Sequence, residues 1–201
     1  MIVTLIDYGA GNVTSVERAL RRLGAEVCPT NRPEEIAKAT SLVLPGVGHC
    51  AALLTSLDAH GLRRPLLDAF ARGVPFLGIC LGLQALFQSS EEAPELPGLG
   101  YFQGRVSLLA QTVKLPHMGW NQIRAVGSSH LLGGISPDAY FYFAHSYAAP
   151  ASGAETAAVC AHGRDFAAVL ENGRVFGVQF HPEKSGSSGA KLLENFLRLA
   201  A

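Results

Sequence analysis

The first half of the chain alternates short apolar runs with segments whose apolar residues recur at helical spacing. Four runs are predicted to be strands: Ile2–Ile6, Glu26–Thr30, Ser41–Leu44 and the run that begins at Val74. Strands that alternate with helices at this spacing predict βαβ units, and therefore a parallel sheet with helices on both faces. Sites in such sheets form beyond the carboxyl ends of the strands.

The helical segments between these runs have recognisable ends. In the first segment, Val13, Val16 and Leu20 share one face, Asn12 is predicted to be the N-cap, and Gly24 is predicted to end the helix. A short helix is expected after Pro33, and two longer ones over residues 49–57 and 63–72. The run after Val74 is expected to continue as a helix that carries Leu83, Leu86 and Phe87.

The second half has short strands separated by turn residues. Ser89–Gly104 is a connector rich in Glu, Pro and Gly. Phe166–Leu170 and Arg174–Phe180 flank Asn172-Gly173, the dipeptide preferred in type I′ turns, and so predict a hairpin. We expect the strands of this half to join the same sheet and Ser187–Ala201 to be a packing helix. The predicted fold class is α/β: a three-layer α/β/α, flavodoxin-like sheet, parallel in the N-terminal half, with antiparallel strands added by the C-terminal half.

Composition fits one buried sheet and excludes several classes of function. The 201 residues are 48% hydrophobic and 16% charged, which predicts a single domain over residues 1–201 with a sizeable core. The net charge is zero and no basic run occurs, so neither nucleic acid nor membrane is an expected partner. The N-terminus lacks a basic leader, and no apolar run approaches the roughly 20 residues that span a bilayer.

Cysteine usage and the glycine-rich loops bear on cofactors. Cys28, Cys50, Cys80 and Cys160 are scattered, with no C-x-x-C pair, so we expect neither disulfides nor a metal site and predict a reducing, cytoplasmic location. The loop after the third strand fails the dinucleotide spacing because Ala51 stands where the third glycine belongs, so no cofactor is expected.

Cys80 lies where a buried strand changes to a helix. Gly78 and Gly82 flank it at two residues on each side, which is the nucleophile-elbow pattern with Cys in place of Ser. The helix N-terminus favours the thiolate, and the backbone amide of Leu81 would point at an oxygen that Cys80 attacks. The competing interpretation is a buried cysteine that only packs.

His181-Pro182-Glu183 follows the last predicted strand. On an extended backbone residues two apart project to the same side, and Pro182 would hold His181 and Glu183 in that relation. A histidine that accepts a thiol proton needs a group that fixes its tautomer, and Glu183 can do this. Alone, His181 would be an ordinary strand-end histidine and Glu183 a solvated charge. Together with Cys80 they predict a Cys-His-Glu triad.

These segments, together with Pro45-Gly46-Val47-Gly48, resemble those of class I, triad-type glutamine amidotransferases. Three further segments are similar to the glutaminase subunits of imidazole glycerol phosphate synthases, from histidine biosynthesis. They are Asp7–Asn12, Pro116-His117-Met118-Gly119-Trp120-Asn121 and His145-Ser146-Tyr147. The resemblance spans nearly the full length.

The resemblance implies a mechanism and a set of roles. Cys80 would attack the side-chain amide carbon of glutamine and form a glutamyl thioester, while His181 moves protons and Glu183 orients it. The oxyanion would be held by the amide of Leu81 and by an amide of the Gly46–Val47–Gly48 loop. Residues that would hold the glutamine head group, or line its region, are Gln84, Glu92, His145, Ser146 and Tyr147.

The resemblance also implies a partner, a (β/α)₈-barrel cyclase that receives the ammonia in a heterodimer. The residues expected to face it are Asn12, Arg18, Met118, Trp120 and Asn121. Trp120 is the only tryptophan, and the alternative for it is a core position. His49 lies on the same rim as Cys80, but no carboxylate is placed to orient it as a base.

Three other functions stay open at this point. The chain could be a glutaminase for another synthase (anthranilate, carbamoyl phosphate or pyridoxal phosphate), or a cysteine hydrolase or peptidase of the same fold. It could also be a non-catalytic interaction module, but the presence of Cys80, His181 and Glu183 together argues against this.

Overall fold

The computed structural model describes residues 1–9 and 12–201. The predicted loop Asp7–Asn12 is therefore seen only in part, because Ala10 and Gly11 lie outside the described residues. No helix of the described residues is both long enough and apolar enough to cross a membrane.

The helices and strands follow one another in the alternating order that the sequence predicts. The N-terminal elements are β1 (Ile2–Ile6), α1 (Val13–Arg22), β2 (Glu26–Thr30), α2 (Pro33–Lys38), β3 (Leu42–Leu44), α3 (Cys50–Ala59), α4 (Arg63–Ala71), β4 (Phe76–Ile79) and α5 (Leu81–Gln84). The C-terminal elements are β5 (Phe87–Ser90), β6 (Phe102–Leu108), β7 (His117–Gln122), β8 (Arg124–Ala125), β9 (Tyr140–His145), β10 (Tyr147–Ala148), β11 (Thr156–Ala161), β12 (Asp165–Asn172), β13 (Val175–Val178) and α6 (Gly186–Ala200), with a 3₁₀ turn at Pro182–Lys184 before α6.

Within the described residues, the main sheet has eight strands in the order β2-β1-β3-β4-β13-β12-β11-β8. The pairs from β2 to β13 are parallel, and those from β13 to β8 are antiparallel. Pro29 lies on β2, at the sheet edge, where the missing N–H does not break a ladder. The α/β fold class and the change from parallel to antiparallel pairing are confirmed.

Two hydrophobic clusters cover the two faces of this sheet. Val3 and Leu5 of β1 pack in one cluster with α1 and α6, whereas Ile6 packs in the other with α2, α3 and α4. Leu77 and Phe76 of β4 divide between the clusters in the same way. Successive strand residues point to opposite faces, so this division is that of a three-layer α/β/α fold.

Three predictions about the second half are wrong in detail. Five strands lie outside the main sheet: β10, β6 and β5 form one small sheet, and β7 and β9 form another. Phe87 begins β5 and does not extend α5, since its ring packs against Phe102 of the neighbouring strand β6. The predicted connector Ser89–Gly104 therefore begins and ends inside strands.

The predicted hairpin forms, but its turn is shifted by one residue. Asn172 pairs with Val175, so the two turn residues are Gly173 and Arg174. Only Gly173 has a positive φ, of 57°, which matches a turn with glycine in its first central position. The type I′ turn predicted at Asn172-Gly173 is not formed, because Asn172 is used as the last residue of β12.

The turn from β4 into α5 is crowded by backbone. A Cβ on Gly78 would lie 2.6 Å from the carbonyl oxygen of Gly82 and 2.8 Å from the amide of Leu83. A Cβ on Gly46, in the loop after β3, would lie 2.8 Å from the amide of Gly82. Real side chains do not approach backbone so closely, and glycine is therefore required at these positions.

We expect Gly78→Ala to destabilise the fold because backbone atoms in the elbow cannot move aside for the added methyl. Overpacking of this kind costs about 1–3 kcal/mol in the free energy of unfolding, measurable by urea denaturation. Gly127→Ala is the matched control, since its Cβ would meet only the Thr156 carbonyl oxygen at 3.8 Å. Equal stability of the two variants would contradict the crowding.

Candidate active site

Cys80 occupies a strained backbone position between β4 and α5. Its φ of 54° and ψ of −105° make it the one residue other than glycine with a positive φ among those described. Its amide donates to the carbonyl of Val178 at 2.7 Å, and its carbonyl accepts from the amides of Leu83 and Gln84. Backbone strain of this kind costs on the order of 1–3 kcal/mol and persists only where the surroundings hold it.

His181 and Glu183 are hydrogen-bonded and buried. His181 Nδ1 lies 3.0 Å from Glu183 Oε1, and the two side chains are 2% and 0% exposed. The expected extended backbone is wrong here, because Pro182–Lys184 forms a 3₁₀ turn that brings the carboxylate back to the ring. The amide of His181 donates to Tyr142, and Ser185 Oγ donates to the His181 carbonyl at 2.7 Å.

Asn12 occupies the N-cap position predicted for it, and its side chain contacts the His181–Glu183 pair. Its Nδ2 donates to Glu183 Oε1 at 3.1 Å, so that one carboxylate oxygen accepts from both Asn12 and His181. Its side chain makes no cap hydrogen bond, although it occupies the N-cap position. The buried carboxylate provides the acceptor for this N–H group, whereas the first turn of α1 offers only backbone N–H donors.

The electrostatics of the site favour a charged imidazole. Burial by itself lowers the pKa of His181, but the hydrogen bonds and negative charges of Cys80 and Glu183 outweigh burial and raise it to about 10. His181 therefore carries a proton at neutral pH.

Cys80 and His181 open into one cavity of about 430 Å³. All the residues expected to hold glutamine line it, as do parts of the expected oxyanion loop. The lining residues are Asn12, Val47, Gly48, Cys80, Leu81, Gln84, Glu92, Ala144, His145, Ser146, Tyr147, His181 and Lys184. A second cavity, of about 620 Å³, lies between β8, β9 and β11 and contains none of the expected catalytic or substrate-binding residues.

The expected oxyanion donors are engaged within the protein. The amide of Leu81 donates to the carbonyl of Gly46 at 3.4 Å, and the amide of Val47 donates to the hydroxyl of Tyr8 at 3.3 Å. Burial, followed by weaker effects that include the charge of Cys80, raises the pKa of Tyr8 to about 12, so this hydroxyl stays protonated. A preformed site at Leu81 and Val47 is therefore not present in this conformation.

The expected substrate-binding residues have defined partners. Gln84 Nε2 donates to the carbonyl of Tyr147 at 2.7 Å. Glu92 accepts from the amide of Cys50 at 2.9 Å, at the first turn of α3, where a carboxylate is favourable. His49, the other rim histidine, caps the same helix by accepting from Ala51 and does not line the cavity.

Sequence reasoning missed two residues that contact the site. Gln179 is fully buried, and its Nε2 lies 3.6 Å from Cys80 Sγ. Tyr8 holds the loop after β3 through Val47. The only available signal for Gln179 was its position two residues before His181, with a polar side chain inside a predicted buried strand.

The residues expected to face a partner divide into two groups. Met118 and Trp120 are 65% and 56% exposed on one side of β7, and Arg18 is exposed on α1. Asn121 lies on the other side of β7, where its Nδ2 lies 3.2 Å from His117 Nε2 and donates to the carbonyl of Ala161. Its contact with a partner stays a prediction. Within residues 1–9 and 12–201, no group of three or more His, Cys, Asp and Glu side chains could hold a metal ion.

Known proteins similar to this chain have one family in common. The family model described as glutamine amidotransferase class-I matches residues 4–200. Imidazole glycerol phosphate synthase subunit HisH of Deinococcus radiodurans is 48% identical over 98% of this chain and 93% of its own. The protein of the same name from Methanothermobacter thermautotrophicus is 43% identical over 98% of both chains.

Solved structures support the fold. A crystal structure of a glutamine amidotransferase matches with a TM-score of 0.79 and 22% identity, over 100% of this chain and 99% of that one. The structure of PurLQS from Thermotoga maritima matches with a TM-score of 0.78 and 18% identity, over 100% and 99%. Because the family model and both HisH relatives cover almost its whole length, the chain belongs to the class-I glutamine amidotransferase family.

Proposed function

We propose that this chain is the glutaminase subunit of an imidazole glycerol phosphate synthase. It hydrolyses glutamine to glutamate and ammonia, and passes the ammonia to a cyclase subunit that forms imidazole glycerol phosphate and AICAR in histidine biosynthesis. One observation carries the chemistry: a strained Cys80 shares a cavity with a buried His181 that is hydrogen-bonded to Glu183. The names of the two HisH relatives support the choice of synthase over other ammonia-using enzymes.

The raised pKa of His181 defines the proton movements. The charged imidazole is the proton donor of the first step, in which the Cys80 thiolate attacks the amide carbon of glutamine. A C–S bond forms, His181 gives its proton to the amide nitrogen, and the C–N bond breaks so that this nitrogen leaves as ammonia. The neutral imidazole then takes a proton from the water that hydrolyses the thioester, and glutamate leaves.

The carbonyl of Gly46 must move before the oxyanion can be held. This carbonyl accepts a hydrogen bond from the amide of Leu81, which is the donor that the oxyanion needs. The bond is long, at 3.4 Å. Loss of one oxyanion donor costs other enzymes roughly 10²–10³ in rate. A chain in this conformation is therefore a slow glutaminase, and rearrangement of the Gly46–Gly48 loop would speed it.

The face of β7 that carries Met118 and Trp120 is the proposed cyclase contact, with Arg18 of α1. Large exposed apolar side chains are enriched at the centres of interfaces.

We also propose that residues 1–201 act as one domain, in which the main sheet supplies the cysteine and the histidine alike. A cytoplasmic location accords with four cysteines that are all free thiols.

Cys80→Ala is expected to abolish ammonia release from glutamine, by at least roughly 10³-fold, since no other group can form the thioester. Cys28→Ala is the matched control, because Cys28 is an exposed thiol on β2. Glutamate formation is measured with the cyclase subunit and its ligand present. Undiminished turnover by Cys80→Ala would refute the proposed function.

Glu183→Gln is expected to lower the pKa of His181, because burial remains while a negative charge is lost. The change is measured from the imidazole ¹⁵N shifts across a pH titration, and kcat should fall roughly 10²–10⁴-fold. The exposed Glu34→Gln on α2 serves as control.

The same variant tests a pH window in stability. The pKa of His181 is about 10 in the folded protein and ordinarily 6.5, so its charge stabilises the fold fully below about pH 6.5. This contribution is lost as the pH rises from about 6.5 to about 10. The free energy of unfolding should fall less over that interval in Glu183→Gln than in the unsubstituted chain.

Turnover of the isolated chain is expected to be weak and to rise when the cyclase and its ligand are added. Trp120→Ala should raise the Kd of the complex about tenfold or more, as for interface hot spots. Leu67→Ala, which truncates an exposed apolar side chain on α4, is the matched control and should leave the Kd unchanged. Equal glutaminase rates with and without the cyclase would contradict the coupling.

A further inference from the structure

A buried amide reaches the sulfur of Cys80 from beneath the cavity. Gln179 Nε2 lies 3.6 Å from Cys80 Sγ, and Gln179 is fully buried. It is not among the residues that line the cavity, so a bound substrate would not touch it. An N–H group aimed at a sulfur stabilises the negatively charged form of that sulfur more than the neutral form.

The orientation of the Gln179 amide is fixed by its neighbours. The carbonyl of Tyr147 can only accept, so the group of Gln84 that lies 2.7 Å from it must be the NH₂ group. That same NH₂ group donates to Gln179 Oε1 at 3.1 Å. The oxygen of Gln179 therefore faces Gln84, and its nitrogen must face Cys80.

The Tyr147 carbonyl is itself held by a chain of neutral histidines. His145 Nδ1 lies 2.8 Å from it, and since a carbonyl only accepts, this nitrogen carries the proton. His145 Nε2 is then an acceptor for His117 Nδ1 at 3.2 Å, and His117 Nε2 accepts from Asn121. Burial lowers the pKa of His145 to about 3 and that of His117 to about 4, in keeping with neutral rings.

We propose that Gln179 is a positioning residue that holds the Cys80 sulfur in place and stabilises its thiolate through an N–H···S hydrogen bond, an assignment that rests on the proposed glutaminase function. Gln84 sets the orientation of Gln179, and the Asn121-His117-His145 chain holds the carbonyl on which Gln84 is anchored. Every donor in this series finds an acceptor, so the direction of each bond is determined from the Tyr147 carbonyl outwards.

The test is the alkylation of Cys80 by iodoacetamide as a function of pH. Mass spectrometry of the Cys80 peptide separates this reaction from alkylation of the exposed Cys28. Gln179→Met keeps the length of the side chain and removes the donor. The alkylation rate at pH 7 should fall roughly tenfold, and the pH of half-maximal rate should rise by about one unit. Gln179→Glu should lower the rate further, since it sets a carboxylate against the sulfur.

A matched control separates this effect from general loss of stability. Asn195→Leu removes another buried amide, which donates to the carbonyls of Leu131 and Gly133 from α6. It should leave the pH profile of Cys80 alkylation unchanged. Thermal unfolding of each variant identifies any that fail to fold, and the two Gln179 variants give independent measurements.

Steady-state kinetics of the complex with the cyclase provide a second readout. Gln179→Met should lower kcat for glutamine about tenfold while KM changes less than twofold, because Gln179 does not line the cavity. An alkylation profile that stays the same in both folded Gln179 variants would overturn the assignment, even if Cys80→Ala is inactive. If Cys80→Ala remained active, the proposed function would fail whatever the alkylation profile.

Discussion

The close approach of three backbone segments at the end of β4 is the constraint on which the site depends. Gly46, Gly78 and Gly82 are in contact there, and no side chain fits between them. The contact holds Cys80 at a positive φ and projects its sulfur beyond the sheet. Strands β3, β4 and β13 are adjacent and parallel, so the loop after β3, the cysteine after β4 and the histidine that follows β13 emerge side by side. The chemistry is thus set by sheet order, and residues about a hundred positions apart in the chain become neighbours.

The buried histidines near Cys80 differ in charge. His181 is buried yet charged, since Cys80 and Glu183 supply the negative charge that offsets its desolvation. His145 and His117 are buried nearby without a carboxylate, and burial keeps both neutral. A second cation beside His181 would lower its affinity for a proton, so the neutrality of these rings preserves the imidazolium. Asn12 contributes no charge either, because its neutral amide donates a hydrogen bond to Glu183 and leaves the negative charge of the carboxylate to act on His181.

Sequence periodicity predicts the first half of the fold closely because local pattern and tertiary packing agree there. The bounds of β1 and β2 match the predicted ones, and Gly24 has the positive φ expected after α1. Agreement fails where long-range contacts decide. Phe87 has a helical spacing from Leu83, but it begins a strand and its ring packs against Phe102 of the neighbouring strand. The proximity of Cys80, His181 and Glu183 could be predicted from Gly78-x-Cys80-x-Gly82 and the spacing of His181 and Glu183. The sequence could not predict three hydrogen bonds between segments that are distant along the chain. They are those of Gln179 with Cys80, of Tyr8 with Val47, and of the Leu81 amide with the Gly46 carbonyl.

Strand β7 connects the outer surface of the molecule with its site. Met118 and Trp120 lie on its exposed side, while His117 and Asn121 on the other side join the hydrogen-bonded series that ends at the Cys80 sulfur. A strand cannot shift its outward residues without moving those that alternate with them, because all are fixed to one backbone. A partner that changed the position of β7 would therefore also change the hydrogen bonds that hold the Tyr147 carbonyl and, through Gln84, the Gln179 amide. This route is separate from the loop after β3, whose Gly46 carbonyl occupies the Leu81 amide. Strand β7 and the loop after β3 are thus two separate elements through which a change in the surroundings of the chain would alter glutamine hydrolysis.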